Sequence, residues 1–83
     1  MRYQVILTKS AQKDLDRLPD EIANRILARL AGLETNPRPA DVKKLKGREA
    51  WRVRGDYRVI YEIHDRVLQI IVIAVGHRRE IYR

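Results

Sequence analysis

Residues 51–75, WRVRGDYRVIYEIHDRVLQIIVIAV, decide the fold of this 83-residue chain. Apolar and polar side chains alternate in residues 50–54 and again in residues 57–63, which is the period of a β-strand with one buried face. The pair Gly55–Asp56 between these runs predicts a tight turn. Residues 67–75 are apolar on both faces, as in a central, covered strand. The stretch therefore predicts three strands in an antiparallel meander.

Toward the N-terminus the strand period is replaced by the helix period. Residues 3–7 are short, apolar and β-branched, and predict a strand. Apolar residues then recur every three to four positions in residues 11–18 and 22–33, which predicts two helices. Thr8 is expected to cap the first helix and Asp20 the second. Because a very short connection joins them, the helices should form an antiparallel hairpin.

The elements combine into one α+β domain that spans residues 1–83. The predicted order is an N-terminal strand, the antiparallel helical hairpin and the three-stranded antiparallel meander, with the hairpin packed on one face of the sheet. Residues 42–47 are predicted as a basic loop or a very short strand, and Gly76 is expected to end the last strand.

The formal charge of +7 is unevenly distributed along the chain. Residues 1–41 contain seven Lys or Arg and six Asp or Glu, whereas residues 42–83 contain eleven and five. A basic half beside a nearly neutral half predicts a polyanion-binding surface. Nucleic acid is favoured slightly over an acidic protein or a surface that is merely well solvated.

Composition argues against several classes of protein. The chain has no cysteine and only two histidines, so neither a disulfide framework nor a zinc site is expected. The longest apolar run, residues 70–76, is too short to cross a bilayer, and the N-terminus does not resemble a signal peptide. We expect a cytoplasmic protein with no membrane contact, no metal and no cofactor.

Cations at alternating strand positions are the candidate functional residues. They are Arg52 and Arg54 on one strand, Arg58 on the next, and Arg78 and Arg79 after the last. In a simple meander these side chains converge on one face of the sheet or on its rim, where a phosphate ligand would best explain so many guanidinium groups. The alternative is a set of exposed arginines, some of them paired with nearby glutamates.

Two residues near the C-terminus add possible chemistry. His77 can donate or accept a proton near neutral pH, and Tyr82 can stack on a base. For each, a purely structural role in a loop or over the core is the simpler interpretation. His64 and Trp51 are expected to be structural, with Trp51 in the core.

Four motifs together resemble the RelE branch of the RelE/ParE toxin superfamily. They are KLKG at 44–47, WRVR at 51–54, GDYRVIY at 55–61 and VGHRREIY at 75–82. The predicted order of elements also fits that family. The resemblance implies a toxin of a type II toxin–antitoxin system, with a small antitoxin carrying an acidic segment as its partner.

The resemblance also implies an activity. RelE-type toxins are endoribonucleases that cut mRNA in the ribosomal A site without a metal, by attack of the 2′-hydroxyl on the adjacent phosphate. The catalytic residues implied or suggested here are Arg52, Arg54, Arg58, His77, Arg78 and Tyr82. The residues expected to bind RNA are Lys43, Lys44, Lys46, Arg48 and Arg79.

One position departs from the family pattern. Arg54 stands where lysine is common, and a guanidinium group is a poor general base because it does not lose its proton. The residue that acts as general base is therefore either His77 or Glu62. Two other functions remain open as well: inhibition of DNA gyrase, as in ParE-like chains, and RNA or ribosome binding without catalysis.

Overall fold

A computed structural model describes residues 2–45, 50–53 and 57–77 of the chain. The elements are β1 (Gln4–Leu7), α1 (Lys9–Asp16), α2 (Asp20–Leu33), β2 (Val42–Lys44), β3 (Trp51–Val53), β4 (Tyr57–His64) and β5 (Gln69–His77). Within these ranges the strands form one five-stranded sheet in the order β1-β5-β4-β3-β2. Strands β2 to β5 are antiparallel neighbours, and β1 is parallel to β5. The predicted α+β class is confirmed.

The strands differ from the prediction in two places. The meander has four strands rather than three, because Val42–Lys44 forms the very short strand that was one of two alternatives and pairs with β3. The last strand begins at Gln69 instead of residue 67, since residues 65–68 form the turn and Leu68 has a φ of 53°. It also continues through Gly76, which pairs with β4 instead of ending the strand.

The helix starts were only partly predictable. Thr8 is the N-cap of α1, and its side chain accepts a hydrogen bond from the Ala11 backbone at 3.1 Å. The N-cap of α2 is Pro19, not Asp20, and it makes no side-chain cap bond. Asp20 instead lies in the first turn with Glu21, where negative charge is favourable beside unpaired N–H groups. In the described residues, neither helix is long and apolar enough to span a membrane.

Alternation along the strands gives the sheet one face that contacts the helices, which we call the helix face. Its buried residues are Val42, Val53, Val59, Tyr61, Ile70, Val72 and Val75. They pack with Ala11, Leu15, Ile26, Leu30 and Leu33 from the two helices to form the core. This packing confirms that the helices cover one face of the sheet. Only the three residues 17–19 separate α1 from α2, as the predicted hairpin requires.

A bulge in β5 shifts the pairing of the two longest strands. Ile60 lies opposite Ala74, whereas the next residue on β4, Tyr61, lies opposite Val72. Ile73 is therefore an extra residue on β5, which is the arrangement of a β-bulge. Because of this extra residue, alternate positions before and after the bulge keep their apolar side chains on the helix face.

Helix α1 supplies hydrogen bonds to β5 where β1 has ended. The Thr8 backbone N–H donates to the Val72 carbonyl at 3.1 Å, and the Thr8 hydroxyl donates to the Ile73 carbonyl at 3.3 Å. The backbone N–H of Val75 donates to Oδ2 of Asp14 at 3.2 Å. Buried backbone groups need partners of this kind, so α1 holds the bulge in place.

The loop between α2 and β2 is fixed at the opposite end of the sheet. Arg38 donates to both carboxylate oxygens of Asp65, at 3.3 and 2.8 Å, and lies 5.5 Å from the centroid of the Trp51 ring. Tyr3 also donates to Asp65. The hydrogen bonds from Arg38 and then Tyr3 lower the pKa of Asp65 below its usual value. Trp51 packs against the core, as predicted.

We predict that Asp14→Ala lowers the free energy of unfolding by about 2 kcal/mol, the scale of a lost hydrogen bond to a charged group. The loss leaves the Val75 N–H without its acceptor beside the bulge. Urea denaturation followed by circular dichroism measures the change. The control is Asp16→Ala on the same helix, which removes only an exposed contact to Gln12. Equal effects of the two substitutions would contradict the role given to Asp14.

Candidate nucleic-acid interface

The second face of the sheet, which we call the distal face, lies on the side away from the helices. Strand register arranges its described residues in four rows across the sheet. In order along β4, the rows are Arg58 with Gly76; Lys43 with Arg52, Ile60 and Ala74; Glu62 with Ile71 and Ile6; and His64 with Gln69 and Gln4. The face is therefore cationic toward one end and polar at the other.

Three cations from neighbouring strands, Lys43, Arg52 and Arg58, form what we call the cationic stripe. Lys43 lies directly opposite Arg52, which places their Cβ atoms about 5 Å apart, and Arg58 is the diagonal neighbour of Arg52 at about 7 Å. Arg52 and Arg58 thus share one face, as predicted. Like charges at such positions destabilise a sheet, and an anion bound among them would relieve their repulsion.

Arg58 is the buried member of the stripe. Only 5% of its surface is exposed, and it is the one charged residue in the buried set of the described residues. This excludes the alternative of an exposed arginine at this position. A buried guanidinium requires compensating interactions, and both Arg58 and Arg52 make further contacts within the chain. Burial also restricts the orientation of Arg58, as preorganised charge stabilisation requires.

Glu62 and His64 lie on the same face, farther along β4. His64 Nε2 is 3.0 Å from Glu62 Oε1, and both side chains are partly exposed. Glu62 is one row from Arg52 and is the carboxylate on the described distal face. The pair therefore brings hydrogen-bonding and proton-transfer groups onto the face of the cationic stripe, whereas the sequence had suggested only a structural role for His64.

Other predicted residues fall elsewhere or outside the described parts of the chain. Lys44 is exposed opposite Trp51, so its position alternates away from the distal face. His77 ends β5 opposite Tyr57, a position that also alternates away from the distal face, and its side chain is outside the described residues. Also outside are Lys46, Arg48, Arg54, Arg78, Arg79 and Tyr82.

Alternation along β4 predicts that Ile60, Glu62 and His64 share a face with Arg58, but sequence reasoning did not identify the residues that β1 and β5 add to this face. Gln4, Gln69 and Ile6 join this face only because β1 pairs in parallel with β5. That pairing has no local signal in the sequence. Among residues 2–45, 50–53 and 57–77, no group of three His, Cys, Asp or Glu side chains is arranged to hold a metal ion.

A family model, a related protein and solved structures all match toxins of type II toxin–antitoxin systems. The family model described as the ParE toxin of the type II toxin–antitoxin system parDE matches residues 5–82. Toxin RelG of Mycobacterium tuberculosis is 33% identical over 87 residues, covering 100% of this chain and 99% of that protein.

Solved structures agree with this match. The RelE–RelB complex from the archaeon Pyrococcus horikoshii contains a chain with a TM-score of 0.82 and 35% identity, covering 94% of this chain and 97% of that one. A toxin–antitoxin complex of the RelBE type from Mycobacterium tuberculosis contains a chain with a TM-score of 0.84 and 28% identity, covering 94% and 100%. From its sequence matches and its fold, the chain belongs to the RelE/ParE superfamily of toxins from type II toxin–antitoxin systems.

Proposed function

We propose that this toxin is a ribosome-dependent endoribonuclease that cleaves mRNA without a metal ion. The observation that supports the proposal most strongly is the cationic stripe, in which Arg58 is buried beside Arg52 on the face away from the helices. Guanidinium groups bind phosphate in a fixed, two-pronged geometry, which suits a transition state with charge on the phosphate oxygens. Relatives named RelG and RelE point to the same branch of the superfamily.

The proposed reaction needs four contributions from the site. The RNA must be held so that its 2′-hydroxyl is in line with the bond to the leaving 5′-oxygen. A base takes the 2′ proton, cations stabilise the phosphorane, and an acid protonates the 5′-oxygen. Breaking the bond between phosphorus and the 5′-oxygen leaves a 2′,3′-cyclic phosphate on one fragment and a free 5′-hydroxyl on the other.

In this proposal each cation has a distinct position. Arg58 is assigned to the scissile phosphate, because burial restricts the orientation of its side chain and a preorganised charge stabilises the transition state best. Arg52 lies beside it, and the exposed Lys43 at the sheet edge contacts a neighbouring phosphate. The family resemblance adds the residues that the structure does not describe. Arg54 and Arg78 bind phosphate, Tyr82 stacks on a nucleotide, and the remaining basic residues of the loop and tail bind RNA.

The proton-transfer group is either His77 or Glu62. The imidazole is the side chain that most readily exchanges a proton near neutral pH, which favours His77. Glu62 shares the distal face with the cationic stripe and is held by His64. The two residues are far apart along the sheet, since His77 pairs with the first residue of β4 and Glu62 is the sixth. They are therefore competing candidates and are not partners at one phosphate.

Inhibition of DNA gyrase is the second candidate function. It is favoured by the family model, whose description is that of a ParE toxin. A ParE-like toxin would bind a protein target and cut no RNA. The cationic stripe supports the nuclease over this alternative, because ParE-like chains generally lack a basic set on the sheet.

We also propose that an antitoxin with an acidic segment binds this chain. Both related complexes contain an antitoxin bound to the toxin. A chain with a formal charge of +7 and a concentrated cationic stripe is complementary to an acidic segment. Such a segment would cover the distal face and block access of RNA to the cations.

The first test of the nuclease compares arginines on the two sides of the molecule. Arg58→Ala and Arg52→Ala should each lower the single-turnover cleavage rate on programmed ribosomes about a hundredfold, because each removes a charge aimed at the phosphate. Arg25→Ala on α2 is the control, since Arg25 contacts only Glu21 among the described ion pairs and is exposed. Its rate should stay within about twofold.

Thermal unfolding of every variant shows whether it is folded. Arg58→Lys is added because it keeps a positive charge at the buried position and is less disruptive to folding than Arg58→Ala. A folded Arg58→Ala variant that cleaves at the wild-type rate would contradict the proposal. If induction stops growth while mRNA stays intact and gyrase-dependent DNA damage appears, the ParE-like function is correct instead.

The second test separates the two candidates for proton transfer. If His77 is the acid or base, His77→Ala should lower the single-turnover rate about a hundredfold and leave ribosome binding nearly unchanged. Glu62→Gln should then have little effect on the rate, because it keeps the shape of the side chain. The opposite result assigns the proton transfer to Glu62. If neither substitution changes the rate, both assignments are wrong.

The third test concerns the antitoxin. Expression together with its neighbouring reading frame should abolish toxicity and yield a complex that co-purifies. The complex should dissociate more readily at high salt, because screening weakens attraction between exposed charges. The control is a partner from which the acidic segment has been deleted, and it should leave the toxin active. A toxin that purifies alone and is harmless would contradict the assignment.

A further inference from the structure

Apolar surface lies next to the cationic stripe on the distal face. Ile60, Ile71 and Ile6 occupy two adjacent rows on strands β4, β5 and β1, and all three are partly exposed. We call these residues the isoleucine strip. On the helix face the equivalent positions are covered by α1 and α2. A contiguous group of large apolar side chains beside charged residues is typical of a binding surface.

The row beyond the isoleucine strip consists of hydrogen-bonding side chains. Gln4, Gln69 and His64 are register partners on three adjacent strands, so they lie side by side at the strand spacing of about 4.8 Å. Gln4 and His64 are exposed, and Gln69 is partly exposed. We call them the polar row. An amide presents both donors and an acceptor, and a neutral imidazole presents one of each.

The distance from the cations to the polar row fits a short single strand of nucleic acid. His64 is four positions beyond Ile60 on β4, and Ile60 is level with Arg52. At the rise of a strand this is about 13 Å, more than one nucleotide covers. The isoleucine strip fills the interval between the two. A strand of RNA bound at Arg52 by a phosphate would therefore reach the polar row with its bases.

Glu62 favours one orientation of a nucleic-acid strand on this surface. It lies between the cationic stripe and the polar row, and its carboxylate repels phosphate while accepting hydrogen bonds from base amino groups. The sugar–phosphate backbone is thereby favoured on the side of Arg52 and Lys43. The bases are favoured over the isoleucine strip. Single-stranded RNA is recognised in this way, by contacts to the base faces and hydrogen bonds to the base edges.

We propose that the isoleucine strip and the polar row form a base-binding subsite for single-stranded RNA, which selects the sequence next to the cut. The inference rests on the proposed nuclease function and deepens it, because it names residues that set nucleotide preference. Phosphates bind the cationic stripe, bases lie on the isoleucine strip, and Gln4 and Gln69 read a base edge. The apolar strip would also accept an amphipathic helix of a protein partner, and the test distinguishes that occupant.

The experiment measures binding separately from cleavage. Four short homopolymeric oligoribonucleotides, of A, C, G or U, are titrated with the full chain by fluorescence anisotropy at low salt. The wild-type protein should bind the best of them at least about fivefold more tightly than the worst, a difference typical of one specific base contact. In the double variant Gln4→Ala, Gln69→Ala this ratio should fall below about twofold.

Two further variants separate base recognition from phosphate binding. Arg52→Ala should weaken binding of all four oligomers by a similar factor, because a phosphate contact carries no sequence information. Gln12→Ala on α1 is the control, since Gln12 is an exposed glutamine bonded to Asp16, and it should leave the wild-type ratios unchanged. Mapping mRNA 5′ ends after induction then shows whether the preferred base in solution is also enriched beside the cut.

The outcomes separate the subsite from the nuclease. Loss of base discrimination in the double variant, with no mRNA cut even by the wild-type protein, supports the subsite and overturns the proposed function. Equal binding of all four oligomers by the wild-type protein overturns the subsite, as does discrimination that survives in the double variant. If the double variant weakens antitoxin binding and leaves base discrimination intact, the surface binds protein and the subsite proposal is wrong.

Discussion

The pairing of β5 on both of its edges is the constraint on which the rest of the structure depends. β5 is antiparallel to β4 and parallel to β1, and the extra residue Ile73 shifts its alternation. Without that residue, strict alternation from Val72 would turn Gly76 toward the helices. With it, Val75 enters the core and Gly76 lies across from Arg58 on the distal face. The extra residue therefore determines which β5 residues share the distal face with the buried arginine, and the bonds from α1 hold that residue in place.

The two faces of the sheet differ in composition and in what covers them. The helix face is filled with apolar residues that the helices bury, and it provides the stability of a small domain. The distal face combines partly exposed isoleucines, a buried guanidinium and neighbouring cations, and like charges on adjacent strands repel each other in the free protein. Departures from the most stable arrangement are characteristic of functional sites. Here they are confined to one face, so the core is unaffected.

Period-two alternation predicted that Trp51 and Val53 face the core, and together with the short turn expected at residues 55–56 it predicted that Arg52 and Arg58 share a face. It was insufficient for β5, where residues 69–75 are apolar on both faces and conceal the position of the bulge. The parallel pairing of β1 with β5 joins distant segments and has no local signal. For that reason the row of Gln4, Gln69 and His64 could not be foreseen. Pro19 occupies the cap position predicted for Asp20, with an extended ψ of 146° and no side-chain cap bond, so the helix begins one residue earlier than the capping preference of Asp20 predicts.

The parallel register of Gln4 with Gln69 also has a consequence for biosynthesis. β1 has no partner in the sheet until β5 has been translated, because Gln4 pairs with Gln69, a residue 65 positions later in the sequence. Contacts between segments so far apart in sequence form late in folding, since the intervening chain must close into a loop. The part of the distal face formed by β1 and β5 is thus not yet assembled in a nascent polypeptide that lacks β5. A toxin proposed to attack ribosomes would therefore lack this part of its surface until β5 has left the exit tunnel of the ribosome that makes it.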